Sequence, residues 1–263
     1  LLYPYFKYKT MIKKISFIVT LIFLFTLISK AQSSKEIGLQ SIVQQDAETY
    51  VGILASDSLE GRRAGAKGGL MAAEYIKSQL KEMGIKPWLM DYYQQFQSSR
   101  TRGKHMRNVI GYIPGKNLSE IVIVGAHYDH LGIRNNDTND SIYNGADDNA
   151  SGVAGVLHVA KAFMASGIKP ERSVLFTFWD GEEVGLLGSY YFVTHRSSYI
   201  FPPMMDAPQI KGYINCDMIG RNKSEADTAH VISFYSPEKP IFKEWLESDI
   251  EEYNLNLLPE FRS

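Results

Sequence analysis

Short apolar runs alternate with amphipathic stretches through the second half of the chain. The apolar runs predict buried strands at residues 121–124, 173–179 and 211–215, and a further strand at 230–234. Apolar residues that recur every three or four positions predict helices between and after them, at about 149–164, 186–194 and 240–253. Strands that alternate with helices of this length favour right-handed crossovers and parallel neighbours. The pattern therefore predicts an α/β fold with a mixed, mostly parallel central sheet.

The preceding segment shows the same alternation with weaker signals. Helical periodicity predicts helices at residues 33–56 and 69–83, the second of which ends at Gly84. Between them lies a glycine-rich loop at 58–65. Residues 88–96 and 108–112 are predicted to be strands of a meander. We therefore expect helices and antiparallel strands to precede the parallel part of the sheet.

The N-terminus has the pattern of a secretory signal peptide. Two lysines follow Met11, an apolar stretch covers residues 15–28, and small residues come at Ser29 and Ala31. The apolar stretch is shorter than the roughly 20 residues that a membrane-spanning helix needs. An uncleaved membrane anchor is the alternative interpretation.

This pattern divides the chain into two parts. Residues 1–31 are expected to be upstream sequence followed by a signal peptide, and residues 32–263 a single domain. The expected location is secreted or periplasmic, without stable membrane association once the signal has been cleaved.

Composition excludes several classes of function. The net charge is −1 and no basic stripe with interleaved aromatic residues is present, so nucleic acid is not an expected partner. The single cysteine, Cys216, excludes an intrachain disulfide and a cysteine-rich zinc module. With 263 residues, 44% of them hydrophobic, the chain can bury a core without covalent cross-links. The sequence predicts no oligomeric state.

Four clusters of histidine and acidic residues follow in order, each after an apolar run. They are His127-Tyr128-Asp129, Asp147-Asp148-Asn149, Gly181-Glu182-Glu183 and Cys216-Asp217. Ligands of open α/β sheets gather outside the carboxyl ends of the strands, so we expect these clusters to converge. Histidine with carboxylates and no thiolate suits zinc or cobalt. A carboxylate able to bridge suggests two cations roughly 3.5–4 Å apart.

Each cluster has an ordinary structural explanation when taken alone. The alternatives are a surface His–Asp pair, helix-capping residues around 148–151, a solvated acidic turn before a helix, and a lone Asp after a strand. Within the third cluster, one glutamate can bind a cation while its neighbour stays free to act as a general base. The series of four favours a metal centre over four coincidences.

Several segments resemble the M28 family of zinc aminopeptidases. They are residues 125–132 (GAHYDHLG), 144–152 (NGADDNASG), 181–189 (GEEVGLLGS) and 215–218 (NCDM), with weaker similarity at 54–62 and 107–111. The resemblance covers nearly everything after residue 31, and the segment 144–152 is its most specific part.

The resemblance implies a fold and a role for each matching residue. The implied fold is a three-layer α/β/α sandwich of the zinc-dependent exopeptidase type. The implied roles are Asp147 bridging two zinc ions, His127 and Asp217 completing one zinc site, Glu183 binding the other ion, Glu182 as catalytic base and Asp129 orienting His127. The peptide bond between the two aspartates is expected to be cis.

One expected ligand has no counterpart in the sequence. The family supplies a fifth ligand, a histidine near the C-terminal end of its domain, and this chain ends at Ser263, so we expect the domain to be incomplete there. His130 lies inside the first motif but is not a ligand on the resemblance, and His158 is predicted on the polar side of a helix. The other histidines, His105, His195 and His230, offer no convincing substitute.

The expected function is therefore that of a secreted zinc-dependent aminopeptidase. It would remove N-terminal residues from peptide substrates through a metal-activated water. Two alternatives stay open at this point: a glutaminyl cyclase-like acyltransferase on the same fold, and a metal-free scaffold that binds a partner.

Overall fold

The computed structural model describes residues 33–88, 91–134, 140–195, 209–222, 224, 229–236 and 238–262. The predicted signal peptide at 1–31 lies outside these residues. Within them, no helix has the length and apolar character needed to cross a membrane.

Strands and helices alternate along the described chain. The strands are β1 (Lys86–Pro87), β2 (Tyr93–Gln97), β3 (His105–Ile113), β4 (Asn117–His127), β5 (Gly132–Ile133), β6 (Ile142–Tyr143), β7 (Arg172–Trp179), β8 (Gln209–Asn215), β9 (His230–Phe234) and β10 (Leu258–Arg262). The helices are α1 (Ser34–Gln40), α2 (Gln44–Leu54), α3 (Lys67–Glu82), α4 (Gly152–Ser166), α5 (Leu187–Thr194) and α6 (Ile241–Glu252). Short 3-10 turns cover Asp57–Arg62 and Ser99–Thr101, and a π-helical turn, Ala146–Ser151, leads into α4.

The main sheet is mixed, as predicted. Its strands run in the order β1-β3-β7-β4-β8, and β2 also pairs with β3. The neighbours β7, β4 and β8 are parallel, whereas β1, β2 and β7 all run antiparallel to β3. The parallel part of the sheet is thus its three strands β7, β4 and β8, and the meander forms the other edge.

Side chains on β4 alternate between two cores, one on each face of the sheet. Ile121 and Ile123 pack on the face covered by Phe192 of α5. Val124 and Ala126 pack on the opposite face with buried residues of α2, α3 and α4. Successive side chains of β4 thus point to opposite faces of the sheet, and helices cover both faces. The result is the three-layer α/β/α arrangement.

The register brings the carboxyl ends of the three parallel strands level with one another. His127 at the end of β4 pairs with Trp179 at the end of β7, and Gly125 pairs with Asn215 at the end of β8. Residues just beyond these positions are therefore neighbours in space. Three of the four predicted clusters begin here.

The position of the second cluster, Asp147-Asp148-Asn149, differs from the sequence prediction. Asp147 and Asp148 do not follow a strand of the main sheet but lie in the turn Ala146–Ser151 at the start of α4. The strand before them, β6, belongs to a two-stranded hairpin with β5. The cluster reaches the same edge of the sheet because α4 packs against β4 and starts beside its end.

Other local predictions also need correction. The helix predicted at 33–56 is two helices, because Ser41 ends α1 by turning its hydroxyl onto the carbonyl of Gly38. His158 does not lie on a polar helix face: it is 8% exposed and meets the ring of Tyr50 edge-on at 5.5 Å. β10 was not predicted and pairs with β9 in a separate parallel sheet.

Candidate metal centre

His127 is held so that one ring nitrogen faces the open end of the sheet. The residue ends β4 and is 3% exposed. Its Nδ1 lies 3.1 Å from the backbone carbonyl oxygen of Asp129. Its Nε2 lies 3.2 Å from Oδ1 of Asp148 and 3.5 Å from Oδ1 of Asp217. These three side chains form the first group of potential metal ligands.

A second group shares Asp148 with the first. Oδ2 of Asp148 lies 3.9 Å from Nδ1 of His130, which itself lies 2.7 Å from Oε1 of Glu183. In each group the ligand atoms all lie within 4.8 Å of one another. The two oxygens of Asp148 therefore face two different imidazoles, as a bridging carboxylate requires.

The sequence predicted Asp147 as the shared ligand, but in the structure the residue common to both groups is Asp148. The carboxylate of Asp147 points away and accepts hydrogen bonds from the backbone N–H of Gly220 at 2.9 Å and from the hydroxyl of Ser151 at 3.3 Å. The backbone of Asp148 and Asn149 is not helical, so neighbouring side chains diverge. The cis peptide bond lies correspondingly between Asp148 and Asn149 instead of between the two aspartates.

Asn149 connects the turn before α4 to the loop that carries Asp217. It is completely buried, and its amide group donates to the carbonyl of Cys216 at 3.0 Å. Its side-chain oxygen accepts from the backbone N–H groups of Met218 and Gly152, at 3.2 and 3.0 Å. Asn149 thereby fixes Asp217 relative to Asp148.

Asp129 supports the acidic loop after β7 more directly than it supports His127. Its two carboxylate oxygens accept the backbone N–H groups of Glu182 at 2.9 Å and Glu183 at 3.3 Å. Its carboxylate is 3.7 Å from Nδ1 of His127, whose nearer partner is the carbonyl of the same residue. The predicted orienting contact is therefore made mainly by the backbone of Asp129.

Electrostatics at the site favours a cation. Burial opposes the charged form of His127, but the carboxylates of Asp129 and Asp217 outweigh it and raise the pKa of the imidazole to about 10. Burial, together with Asp129, Glu183 and Asp217, raises the pKa of Glu182 above its ordinary value, although His127 opposes this. A bound cation would take the place of the proton on His127, so uptake should release protons.

The donor atoms fit a metal ion of the zinc type. Both groups combine one imidazole with two carboxylates and contain no thiolate, and zinc accepts ligands of both these kinds. His127 has its second nitrogen directed at a carbonyl, as metal-bound histidines commonly do. Of the predicted ligands, the structure brings together His127, Glu183 and Asp217, and it replaces Asp147 by Asp148.

Sequence reasoning missed the position of His130. The residue is 8% exposed, and its backbone N–H donates to the carbonyl of Arg62 at 3.2 Å. Its place in the motif, directly after Asp129, was visible, but the resemblance gave it no role. The geometry places it against Glu183 in the second group.

The sequence model of peptidase family M28 matches residues 108–262, which are more than half of the chain. The chain belongs to this family. It is 34% identical to leupeptin-inactivating enzyme 1 of Streptomyces exfoliatus over 163 residues, which make up 61% of the chain and 32% of that enzyme. The chain thus spans about a third of the length of this curated relative.

Solved structures share the fold at lower sequence identity. The LapA aminopeptidase of Legionella pneumophila superimposes with a TM-score of 0.65 at 22% identity, covering 85% of this chain and 56% of LapA. A Zn-dependent exopeptidase of Parabacteroides distasonis gives 0.59 at 18% identity, covering 83% and 76%. A glutaminyl cyclase of Bacteroides thetaiotaomicron gives 0.56 at 20% identity, covering 82% and 75%. The three-layer α/β/α fold of the M28 peptidases is therefore confirmed.

Proposed function

We propose that this M28 chain carries the metal-binding and proton-transferring residues of a zinc-dependent aminopeptidase that acts on peptides. The observation that carries the proposal is the position of Asp148, whose two carboxylate oxygens face the imidazoles of His127 and His130. A single carboxylate between two sets of ligands is the arrangement that a pair of cations needs.

Each proposed ligand has a defined place. His127, Asp148 and Asp217 would hold one zinc ion, and Asp148 with Glu183 would hold the second. When bound, the ions would polarise the scissile carbonyl group and lower the pKa of a water molecule. The histidine ligand expected beyond Ser263 stays part of the proposal.

Glu182 is the proposed general base. Its backbone N–H is fixed by Asp129, and the side chain is not a member of either ligand group. The raised pKa of its carboxylate suits a group that accepts a proton and gives it back. Glu182 would take the proton from the attacking water and return it to the leaving amine.

Glu182→Gln tests this assignment, with Glu183→Gln as its neighbour control. The first variant is expected to keep its zinc and lose roughly 100-fold or more in kcat on aminoacyl p-nitroanilides. The second should lose zinc, measured by elemental analysis after gel filtration. Full activity in Glu182→Gln would reject the base assignment, and unchanged zinc content in Glu183→Gln would reject that ligand.

Glutaminyl cyclisation is the second candidate, because a glutaminyl cyclase shares the fold over most of this chain. Peptides that start with glutamine separate the two reactions. A peptidase releases free glutamine, whereas a cyclase leaves a peptide of the same length that has lost ammonia. Mass spectrometry distinguishes these products.

We also propose that the protein is exported. The support is the sequence around Met11, with its two lysines, its apolar stretch at 15–28 and the small residues before Gln32. Expression in a Gram-negative host should yield a protein that begins near Gln32 outside the cytoplasm. A product that keeps residues 11–31 in the cytoplasmic fraction would contradict export.

A further inference from the structure

Arg62 is a completely buried cation that forms no ion pair with a carboxylate among the residues the structure describes. Its guanidinium donates four hydrogen bonds, all to backbone carbonyl oxygens. The acceptors are Tyr128 at 2.8 Å, Leu54 at 2.5 Å, Asn144 at 2.6 Å and Gly145 at 2.8 Å. Its side chain is 0% exposed. Burying a permanent charge is costly unless its hydrogen bonds are satisfied, so this residue has a demanding and specific environment.

The four carbonyls belong to three separate segments, two of which carry ligands of the metal centre. Tyr128 lies between His127 and Asp129 in the loop after β4. Asn144 and Gly145 lie a few residues before Asp148, and Leu54 is the last residue of α2, where a positive charge is favoured. The planar guanidinium group of Arg62 therefore connects the loop of His127 to the segment of Asp148.

The backbone around Arg62 is shaped to deliver this side chain. Glu60, Gly61 and Arg62 are three consecutive residues with positive φ, at 50°, 64° and 50°. A Cβ on Gly61 would come within 2.5 Å of the carbonyl oxygen of Gly132. The carbonyl of Arg62 also accepts the backbone N–H of His130 at 3.2 Å. Side chain and backbone of Arg62 thus hold two parts of the 127–132 loop.

The charge of Arg62 is retained beside the acidic site. Burial lowers the pKa of the guanidinium to about 10, while Asp129, Asp148 and Glu183 act in the opposite direction. The group is therefore cationic at neutral pH. On charge alone, such a cation would repel an incoming metal ion, so its presence needs another explanation.

We propose that Arg62 is a positioning residue that fixes the distance between the loop of His127 and the segment of Asp148, and so pre-sets both ligand groups for cations. The inference rests on the metal centre proposed above. It assigns to the glycine-rich loop at 58–65 a function in building the centre. The planar fork of arginine suits this function, because it reaches several carbonyls in fixed directions at once.

The direction in which zinc affinity changes shows whether Arg62 acts by positioning the ligands or only through its charge. Arg62→Met removes a cation, which on electrostatics alone would tighten zinc binding. If Arg62 positions the ligands, Arg62→Met should instead weaken zinc binding by roughly 10- to 100-fold, the usual cost of losing an outer support of a metal site. Competition against a chromophoric chelator, at temperatures below unfolding, measures this on the full chain.

Arg62→Lys and two controls complete the experiment. Arg62→Lys keeps the charge and loses the fork, so zinc affinity should fall by roughly 10-fold. Arg63→Met removes the same charge from the exposed neighbour, and Leu80→Ala destabilises the buried core far from the ligands. Both controls should bind zinc with unchanged affinity, even where Leu80→Ala lowers Tm as much as Arg62→Lys does.

Two outcomes would overturn the proposal for Arg62. One is unchanged or tighter zinc binding in Arg62→Met and Arg62→Lys, and the other is a loss in Leu80→Ala as large as in the Arg62 variants. If Arg62→Met does not fold, Arg62→Lys decides the question alone. Absence of zinc binding by the unmodified chain would instead reject the metal centre itself.

Discussion

The two ligand groups share Asp148 but hold their imidazoles differently. In the first group, the Nδ1 of His127 faces a carbonyl, and its Nε2 is directed at two carboxylates. In the second, Nδ1 of His130 is engaged by Glu183 at 2.7 Å and is more distant from Asp148, at 3.9 Å. In the first group one imidazole nitrogen faces both carboxylates at similar distances, whereas in the second it is engaged by one carboxylate at hydrogen-bond distance and lies farther from the other.

This difference suggests that the first group is the tighter site. Its imidazole is 3% exposed and supported by backbone, and Asn149 fixes the loop of Asp217. In the second group, Glu183 is held through its backbone N–H by Asp129, and its side chain is paired with His130. Variants that affect one group, both groups or only their supports test this comparison.

The largest effect is expected for the residue common to both groups. Asp148→Asn should weaken zinc binding at both groups by at least about 100-fold and reduce kcat/KM by about 1,000-fold, because a ligand matters more than an outer support. Asp147→Asn is the matched neighbour and should cost about 10-fold at most. A larger loss in Asp147→Asn than in Asp148→Asn would show that Asp147 is the bridging ligand, as the sequence predicted, and would contradict a shared role for Asp148.

The two histidines should differ in which cation is lost. His127→Gln should remove the tighter zinc ion and lower its affinity by at least about 100-fold. His130→Gln should leave the tighter ion in place and alter only weaker binding, seen by isothermal titration as two separable events. Equal losses of the first ion in both variants would show that the two groups are not distinct in strength.

Asp129 tests the support of the acidic loop, because it holds the backbone of that loop and is not a member of either ligand group. In Asp129→Asn, one amide oxygen can accept from Glu182 or Glu183 but not from both, so Glu182 is less well placed. We expect kcat to fall by about 10- to 100-fold with the tighter zinc ion retained. Loss of that ion in Asp129→Asn would instead mean that Asp129 acts mainly on His127.

The smallest expected effect concerns Asp180, which lies beneath the same loop and takes no part in the proposed chemistry. Burial raises the pKa of its carboxyl to about 7, and Asp129 adds to the shift. The folded state thus binds this proton more tightly than the unfolded state, and stability falls as pH rises from about 4 to about 7.

Asp180→Asn should remove this pH dependence. The unmodified chain should lose about 2 kcal/mol more of its free energy of unfolding from pH 5 to pH 8 than Asp180→Asn does. Urea denaturation at both pH values, with a chelator present, measures this difference. An equal difference at both pH values would show that Asp180 titrates as an ordinary exposed carboxyl group does.

Sequence patterns predicted the sheet better than the loops. Continuous apolar runs located β4 and β7, since a strand covered on both faces has few other solutions. β8 was also located, although most of its residues are exposed and not buried as predicted. The choice between Asp147 and Asp148 was not readable, because it depends on non-helical dihedral angles at Asp148 and Asn149. The part played by Arg62 was hidden for a related reason: its partners are backbone carbonyls, which leave no trace in residue types.

The shared carboxylate of Asp148 has a thermodynamic consequence. With one oxygen toward each imidazole, a first ion would withdraw electron density from the ligand that the next ion must use, and two nearby positive charges would repel. Loading one position therefore alters the affinity of the other, and linkage requires the same factor in the reverse direction. At low metal concentration, the protein would then exist largely as a singly loaded species instead of an equal mixture of empty and full molecules.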